Sequence, residues 1–140
     1  MLRLLNSVEL QAISTRKQFI DFTRDAIPKD DGINLSFIIE LGLNDNEEDK
    51  FCYLILGCKS QVNDIPEGEV NPLKVEITIA YKFNILEPDV FHQADDELKA
   101  TLLSNLVYLD FRNKLTAAFS SVGLSKIRFP LTFEKIKSMS

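Results

Sequence analysis

Imidazole is almost missing from this chain: His92 is the single histidine in 140 residues. A Ser–His–Asp triad or a histidine-rich metal centre therefore has nothing to be assembled from, and neither catalysis nor a metal is expected. His92, Asp95 and Asp96 carry the donor types of a metal site, but they stand just ahead of an expected helix and read as a solvated helix start. Glycine is scarce too, with five scattered residues, which leaves no Gly-rich phosphate loop. The acidic run Asn44 to Asp49 lacks the fixed glycine and distal glutamate of a calcium loop and reads as a solvated hairpin tip. No cofactor is implied. Only two cysteines occur, Cys52 and Cys58, six residues apart in an expected strand. At about 3.3 Å per residue they lie on one face but about 20 Å apart, beyond bridging distance, so both are expected as free buried thiols in a reducing compartment. No apolar run approaches the ~20 residues of a membrane helix. Met1 to Leu10 meets Asn6, Ser7 and Glu9 before a signal-peptide core can form, which makes the cytoplasm the expected location and membrane insertion unexpected.

What the chain does have is an ordinary globular composition, 45% hydrophobic and 26% charged. Its length suits one domain over residues 1–140, burying about two-thirds of the unfolded surface. Sixteen Lys plus Arg stand against 21 Asp plus Glu, a net charge of -5. That balance repels a phosphate backbone, so nucleic acid is not an expected partner, and a basic protein surface suits it better.

The cleanest periodicity lies in Leu73 to Ile85. Val75, Ile77, Ile79, Tyr81, Phe83 and Ile85 fall on one face, with Glu76, Thr78, Ala80, Lys82 and Asn84 on the other. A period of two marks a half-buried strand. Val8 to Phe22 reads as one long or broken strand whose Thr15, Arg16, Lys17 and Gln18 suggest an exposed edge. Ala26 to Gly32 is a turn, Ile33 to Leu43 a strand with one apolar face, Asn44 to Lys50 a charged connection, and Phe51 to Val62 a strand apolar on both faces at its centre. Asn63 to Pro72 is a loop. Four antiparallel strands in a meander result, with short connections favouring neighbours in sequence as neighbours in space.

Beyond Pro88, Asp96 to Val122 changes to helical spacing, with Asp95 or Asp96 as cap and Gly123 as the terminating residue. Ile127, Phe129, Leu131 and Phe133 alternate around Pro130, and Phe133 to Met139 forms a short last helix. The long helix carries two apolar stripes. Leu98, Leu102, Leu106 and Leu109 make one, and Leu103, Val107, Phe111, Leu115, Phe119 and Val122 make the other. One stripe covers the sheet, and the other suits a second copy of the chain or the C-terminal segment. The fold class is α+β, a four-stranded antiparallel sheet under a long helix.

Three segments in this order resemble the SecB family of protein-export chaperones: KFNI at Lys82 to Ile85, NLVYLDFR at Asn105 to Arg112, and FPLTFEKI at Phe129 to Ile136. The likeness spans Leu73 to Ile136; before it, strand order alone carries the resemblance. Leu109 stands where the family helix has a proline, and the loop Asn63 to Pro72 replaces a tight hairpin. The resemblance implies a homotetramer, a dimer of dimers, that holds unfolded clients in apolar grooves without ATP. It leaves open an export chaperone, a SecB-like protein of the toxin–antitoxin type, or another relative of the fold. Groove candidates are Phe37, Ile39, Phe51, Tyr53, Ile55, Phe129 and Leu131. Glu76 occupies a position that in the family docks the SecA motor, and Leu102, Leu106, Leu109 and Phe119 are candidates for the interface between dimers. Two other classes stay open: a dedicated partner-binding protein, and a helix-on-sheet module enclosing a small ligand.

Overall fold

The computed structural model describes residues 2–23, 34–45 and 50–139. The turn expected at Ala26 to Gly32 and most of the acidic run lie outside them. A one-turn helix α1 (Leu2–Leu5) leads into four strands: β1 (Val8–Phe22), β2 (Leu35–Asp45), β3 (Phe51–Val62) and β4 (Leu73–Ile85). Helices α2 (Pro88–Gln93), α3 (Asp96–Ser121) and α4 (Phe133–Ser138) follow. The strands form one antiparallel sheet in the order β1-β4-β3-β2. The expected meander therefore holds only for β2, β3 and β4. β1 pairs with β4 instead of β2, because alternation assigns a residue to a face but says nothing of which strand lies alongside.

The apolar face of β4 packs under α3, joined by Leu54, Leu56 and Cys58 of β3, all buried. From α3 the buried side is Leu103, Val107, Tyr108, Phe111, Leu115, Ala118 and Phe119, the second of the two expected stripes with its flanks. Tyr81 reaches across this interface and donates to Asp110 Oδ2 at 2.8 Å, and Lys114 holds the same carboxylate at 2.7 Å. The helix ends where Gly123 takes φ +84°, with Gly123 N donating to Ser120 O and Leu124 N to Phe119 O. This paired arrangement satisfies the last free carbonyls of α3.

Past the helix, the chain turns back along α3 and is fastened by the residues that carry the family resemblance. Tyr108 Oη donates to Pro130 O at 2.6 Å, Arg112 Nε to Phe129 O at 3.1 Å, and Asn105 Nδ2 to Glu134 Oε1 at 3.2 Å. Thr132 caps α4 by accepting from Lys135 N. Between β3 and β4, Asn71 closes the long loop, accepting from Val62 N and Leu73 N and donating to Val62 O.

Two sequence expectations are corrected at the other end of α3. His92 was expected in a solvated helix start and Asp45 at a solvated tip, yet both are largely buried, with His92 Nδ1 3.3 Å from Asp45 Oδ1. Lys99 completes the cluster, its ammonium 2.7 Å from Asp45 Oδ2 and 4.8 Å from the Phe91 ring centroid. The reason is chain geometry: β2 runs two residues further than expected, to Asp45, and carries the carboxylate under the start of α3. An ammonium desolvated there needs a paired anion.

Candidate apolar binding surfaces

On the helix side of the sheet, β2 is an edge strand whose inward residues are only half-covered. Phe37 meets Phe119 and Phe129 with ring centroids 6.0 and 5.6 Å apart, and Phe119 meets Phe129 at 5.5 Å. Edge-to-face and tilted pairs of this kind fix ring positions beyond what burial alone does. Phe129 is 5% exposed and Phe119 1%, so these two form the floor of the region. Phe119 therefore presents nothing to a second copy, in contrast with its expected place at an oligomer interface. It lies one helical turn past Leu115 on the inner stripe, where the sheet already covers it.

Beside Phe37 lies an open cleft of about 400 Å³ lined by Asn34, Leu35, Phe37, Asn63, Asp64 and Ile127. Ile39 continues the half-buried row along β2, and Leu131 is exposed beyond Phe129. The outer backbone edge of β2 has no neighbouring strand among the described residues. An unpaired strand edge beside a cleft lined half by apolar and half by polar side chains can take an extended polypeptide, the backbone by ladder hydrogen bonds and the apolar side chains by burial. Asp64 at the cleft mouth adopts φ +60°, a conformation that aspartate tolerates better than most residues.

Phe51, Tyr53 and Ile55 lie on the opposite, helix-free face. The seven expected groove residues are thus divided: Phe37, Ile39 and Phe129 on the helix side, these three on the open side, and Leu131 in the extended segment after α3. Phe51 and Tyr53 pack edge to face at 5.8 Å. Lys82 Nζ sits 4.5 Å from the Phe51 ring centroid and Arg16 Cζ 5.8 Å from that of Tyr53. Glu76 is on this face too, ion-paired with Lys17 Nζ at 2.5 Å; that hydrogen bond, with the positive charge of Lys17, Lys59 and Lys74 around it, holds the carboxyl below the usual range.

The third surface is the outward ridge of α3, where Leu106 is 47% and Leu109 61% exposed, with Leu102 half-buried one turn earlier. Sequence reasoning missed the exposed Ile38 on β2. Its signal was present: an apolar residue in the polar phase, between Phe37 and Ile39. It also missed the two cations over the aromatic rings, which depend on strand neighbours that the sequence does not specify.

With this geometry described, comparison with known structures decides the fold. A SecB-like chaperone of Mycobacterium tuberculosis, solved in complex with a peptide from an antitoxin, superposes on this chain with a TM-score of 0.68. The match covers 93% of this chain and 94% of that one at 12% sequence identity. The fold is SecB-like. A protein of unknown function from Streptococcus agalactiae is a more distant neighbour, with a TM-score of 0.40 at 15% identity, covering 90% of this chain and 97% of that one. No protein-family profile and no curated protein sequence matches the chain. On this SecB-like sheet the strands and α3 enclose packed side chains, and the cleft beside β2 opens to solvent. No helix among the described residues is long and apolar enough to cross a membrane.

Proposed function

We propose that this protein is a SecB-like holdase that keeps polypeptide clients unfolded without ATP and without chemical catalysis, in the cytoplasm, in support of protein export. The observation that carries the reading is the open cleft beside Phe37, at the edge of β2 that no strand among the described residues covers, on a fold that a chaperone also adopts. Apolar burial is non-directional and tolerates many sequences, while edge hydrogen bonds involve only the client's backbone. Both suit a protein with many clients. Phe37 and Ile39 line the binding surface on one side of the sheet and Phe51, Tyr53 and Ile55 on the other, with Leu131 at the exposed segment and Phe129 beneath. A homotetramer and a SecA-type motor as partner follow from the family resemblance.

Dilution of a chemically unfolded client into the protein tests this reading. The expected result is suppression of light scattering at near-stoichiometric ratio in the absence of nucleotide, reduced by Phe37→Ala. A client that aggregates at the same rate with and without excess protein would falsify the proposal.

A second reading is a dedicated partner-binding protein. It is favoured by one observation, that the M. tuberculosis neighbour was solved with a peptide from an antitoxin. A single tight, saturable partner that competes all clients away would select it over a general holdase.

A further inference from the structure

The open face of the sheet has a charge pattern that the holdase reading does not use. Its centre is a row along β3, Phe51, Tyr53 and Ile55, facing the same way as Lys82 and Ala80 of β4. Gly42 lies in register beside Ile55, and a Cβ built there would approach nothing nearer than Ile55 Cβ at 3.9 Å. Gly57 is next along the row. Two residues without side chains leave the surface around Ile55 recessed, and Ile38 stands 56% exposed beyond it.

Two cations border this row. The β1–β4 register shifts between Thr15 and Lys17, so that Arg16 is an extra residue in β1 with no partner in β4. A bulge of this kind re-aims side chains. Here it sends both Arg16 and Lys17 to the open face, Arg16 toward Tyr53 and Lys17 toward Glu76. Ala80 is buried on a face that carries no helix, so larger neighbouring side chains must overhang it.

Two anions of this face are ion-paired. Glu76 is bonded to Lys17 and Glu40 to Lys59 at 3.3 Å. Asp21 stands in register with Lys74, and Glu9 lies at the far end of β1 opposite Asn84. Arg16 and Lys82 have no ion-pair partner among the described residues, only the rings beneath them. A cation held over a ring keeps its charge and gains a fixed position. In a chain of net charge -5, the central unpaired charge of this face is positive.

We propose that the open face is a second recognition site, for an extended protein segment whose sheet-facing side chains, at every second residue, include both apolar groups and carboxylates. Successive same-side residues of an extended chain are about 7 Å apart, the spacing of Phe51, Tyr53 and Ile55 along β3. The apolar residues of the segment lie on Tyr53, Ile55 and Ile38, and its carboxylates meet Lys82 and the Arg16 fork. The inference rests on the reading of the protein as a polypeptide binder, but not on holdase activity.

Fluorescence anisotropy on the full chain tests it, using a short labelled peptide with leucine and glutamate taking turns at every second position and serine between them, its lysine counterpart, and a labelled oligothymidylate. The acidic peptide is expected to bind at least about tenfold more tightly than the basic one, and to weaken as salt rises. Arg16→Met with Lys82→Met keeps the aliphatic stems and is expected to remove that preference, whereas Lys59→Met, on the same face but ion-paired, is expected to retain it. Equal binding of the two peptides, or equal loss with Lys59→Met, overturns the proposal. So does tighter binding of the oligothymidylate, which assigns the face to nucleic acid. The salt dependence of the unaltered protein decides the matter even where the double variant fails to fold. Suppression of client aggregation, measured on the same samples, separates the two readings: its loss with the acidic preference intact removes the holdase alone, and its presence without that preference removes the second site alone.

Discussion

Lys99 shows what a single buried charge demands. Its side chain is 4% exposed, and its ammonium is surrounded by Asp45, Asp96 at 3.6 Å and the Phe91 ring. Removing only the cation leaves the Asp45 carboxylate desolvated with His92 as its remaining close neighbour. Lys99→Ala is therefore expected to cost about 3 to 5 kcal/mol in urea unfolding. Lys99→Met combined with Asp45→Leu is expected to recover most of it, because both buried charges then leave together. Equal losses in the single and double variants would show that packing, not charge, accounts for the effect. The two thiols respond to pH in a defined direction. Burial pushes Cys52 and Cys58 up to about 12 from 9.0, with Asp45 adding to the rise at Cys52. The folded chain thus keeps protons that the unfolded chain releases above pH 9, so this contribution is complete below pH 9 and is lost as pH climbs toward 12. Burial, with Asp110 acting on Tyr81, raises Tyr81 and Tyr108 in the same direction. Stability is expected to be flat through neutral pH and then to fall by up to about 1.4 kcal/mol per pH unit for each thiol above pH 9. A urea midpoint unchanged at pH 10.5 would contradict this, and the same burial predicts that neither thiol reacts with Ellman's reagent at pH 8 until denaturant is added.

At the scale of elements, the end of α3 depends on Gly123, whose φ of +84° lets two backbone N–H groups turn back onto Phe119 and Ser120. Gly123→Ala forces a side chain into the left-handed region and is expected to cost about 1 kcal/mol without changing the fold, measured as a lowered urea midpoint at constant slope. This cap was legible in the sequence, as were β4, the inner stripe of α3 and α4, because each rests on a local period or on one residue with restricted backbone geometry. The clamp between Asn105–Arg112 and Phe129–Glu134 was legible only as a resemblance between segments, and the hydrogen bonds from Tyr108 and Arg112 supply its physical content. What the sequence did not disclose depends on neighbours. β1 alternates as an edge strand does, yet nothing in its pattern distinguishes β2 from β4 as its partner. Arg16 reaches Tyr53 across β4 only because of the bulge, which has no glycine to announce it. Asp45 and His92 looked solvated because polar residues near turns usually are, and the pairing that buries them spans 47 residues of chain.

At the scale of the whole molecule, the described residues leave one apolar ridge uncovered. Leu106 and Leu109 lie three residues apart on the outward side of α3, with half-buried Leu102 one turn before them, while the inner side of the helix is already filled by the sheet. Exposed leucines scattered singly need no explanation, but a row along one helix is the geometry by which helices of two copies pack ridge into groove. A pair of such ridges related by a two-fold axis buries the same leucines from both sides. We expect the protein in solution to have four chain masses of 15.9 kDa each. Leu106→Glu with Leu109→Glu places like charges face to face across that contact and is expected to halve the mass, leaving thermal stability of the separated unit nearly intact because neither residue belongs to the core. Light scattering coupled to size exclusion reads both forms. An unaltered chain that elutes at one chain mass would remove the ridge as an interface, and a double variant that keeps the parent mass would place the contact elsewhere, with the β1 edge and its exposed Leu10 and Ile13 as the next surface to alter. If the mass halves while the β2 cleft still suppresses client aggregation, binding belongs to the single sheet and assembly only multiplies the number of clefts that one unfolded chain can meet at once.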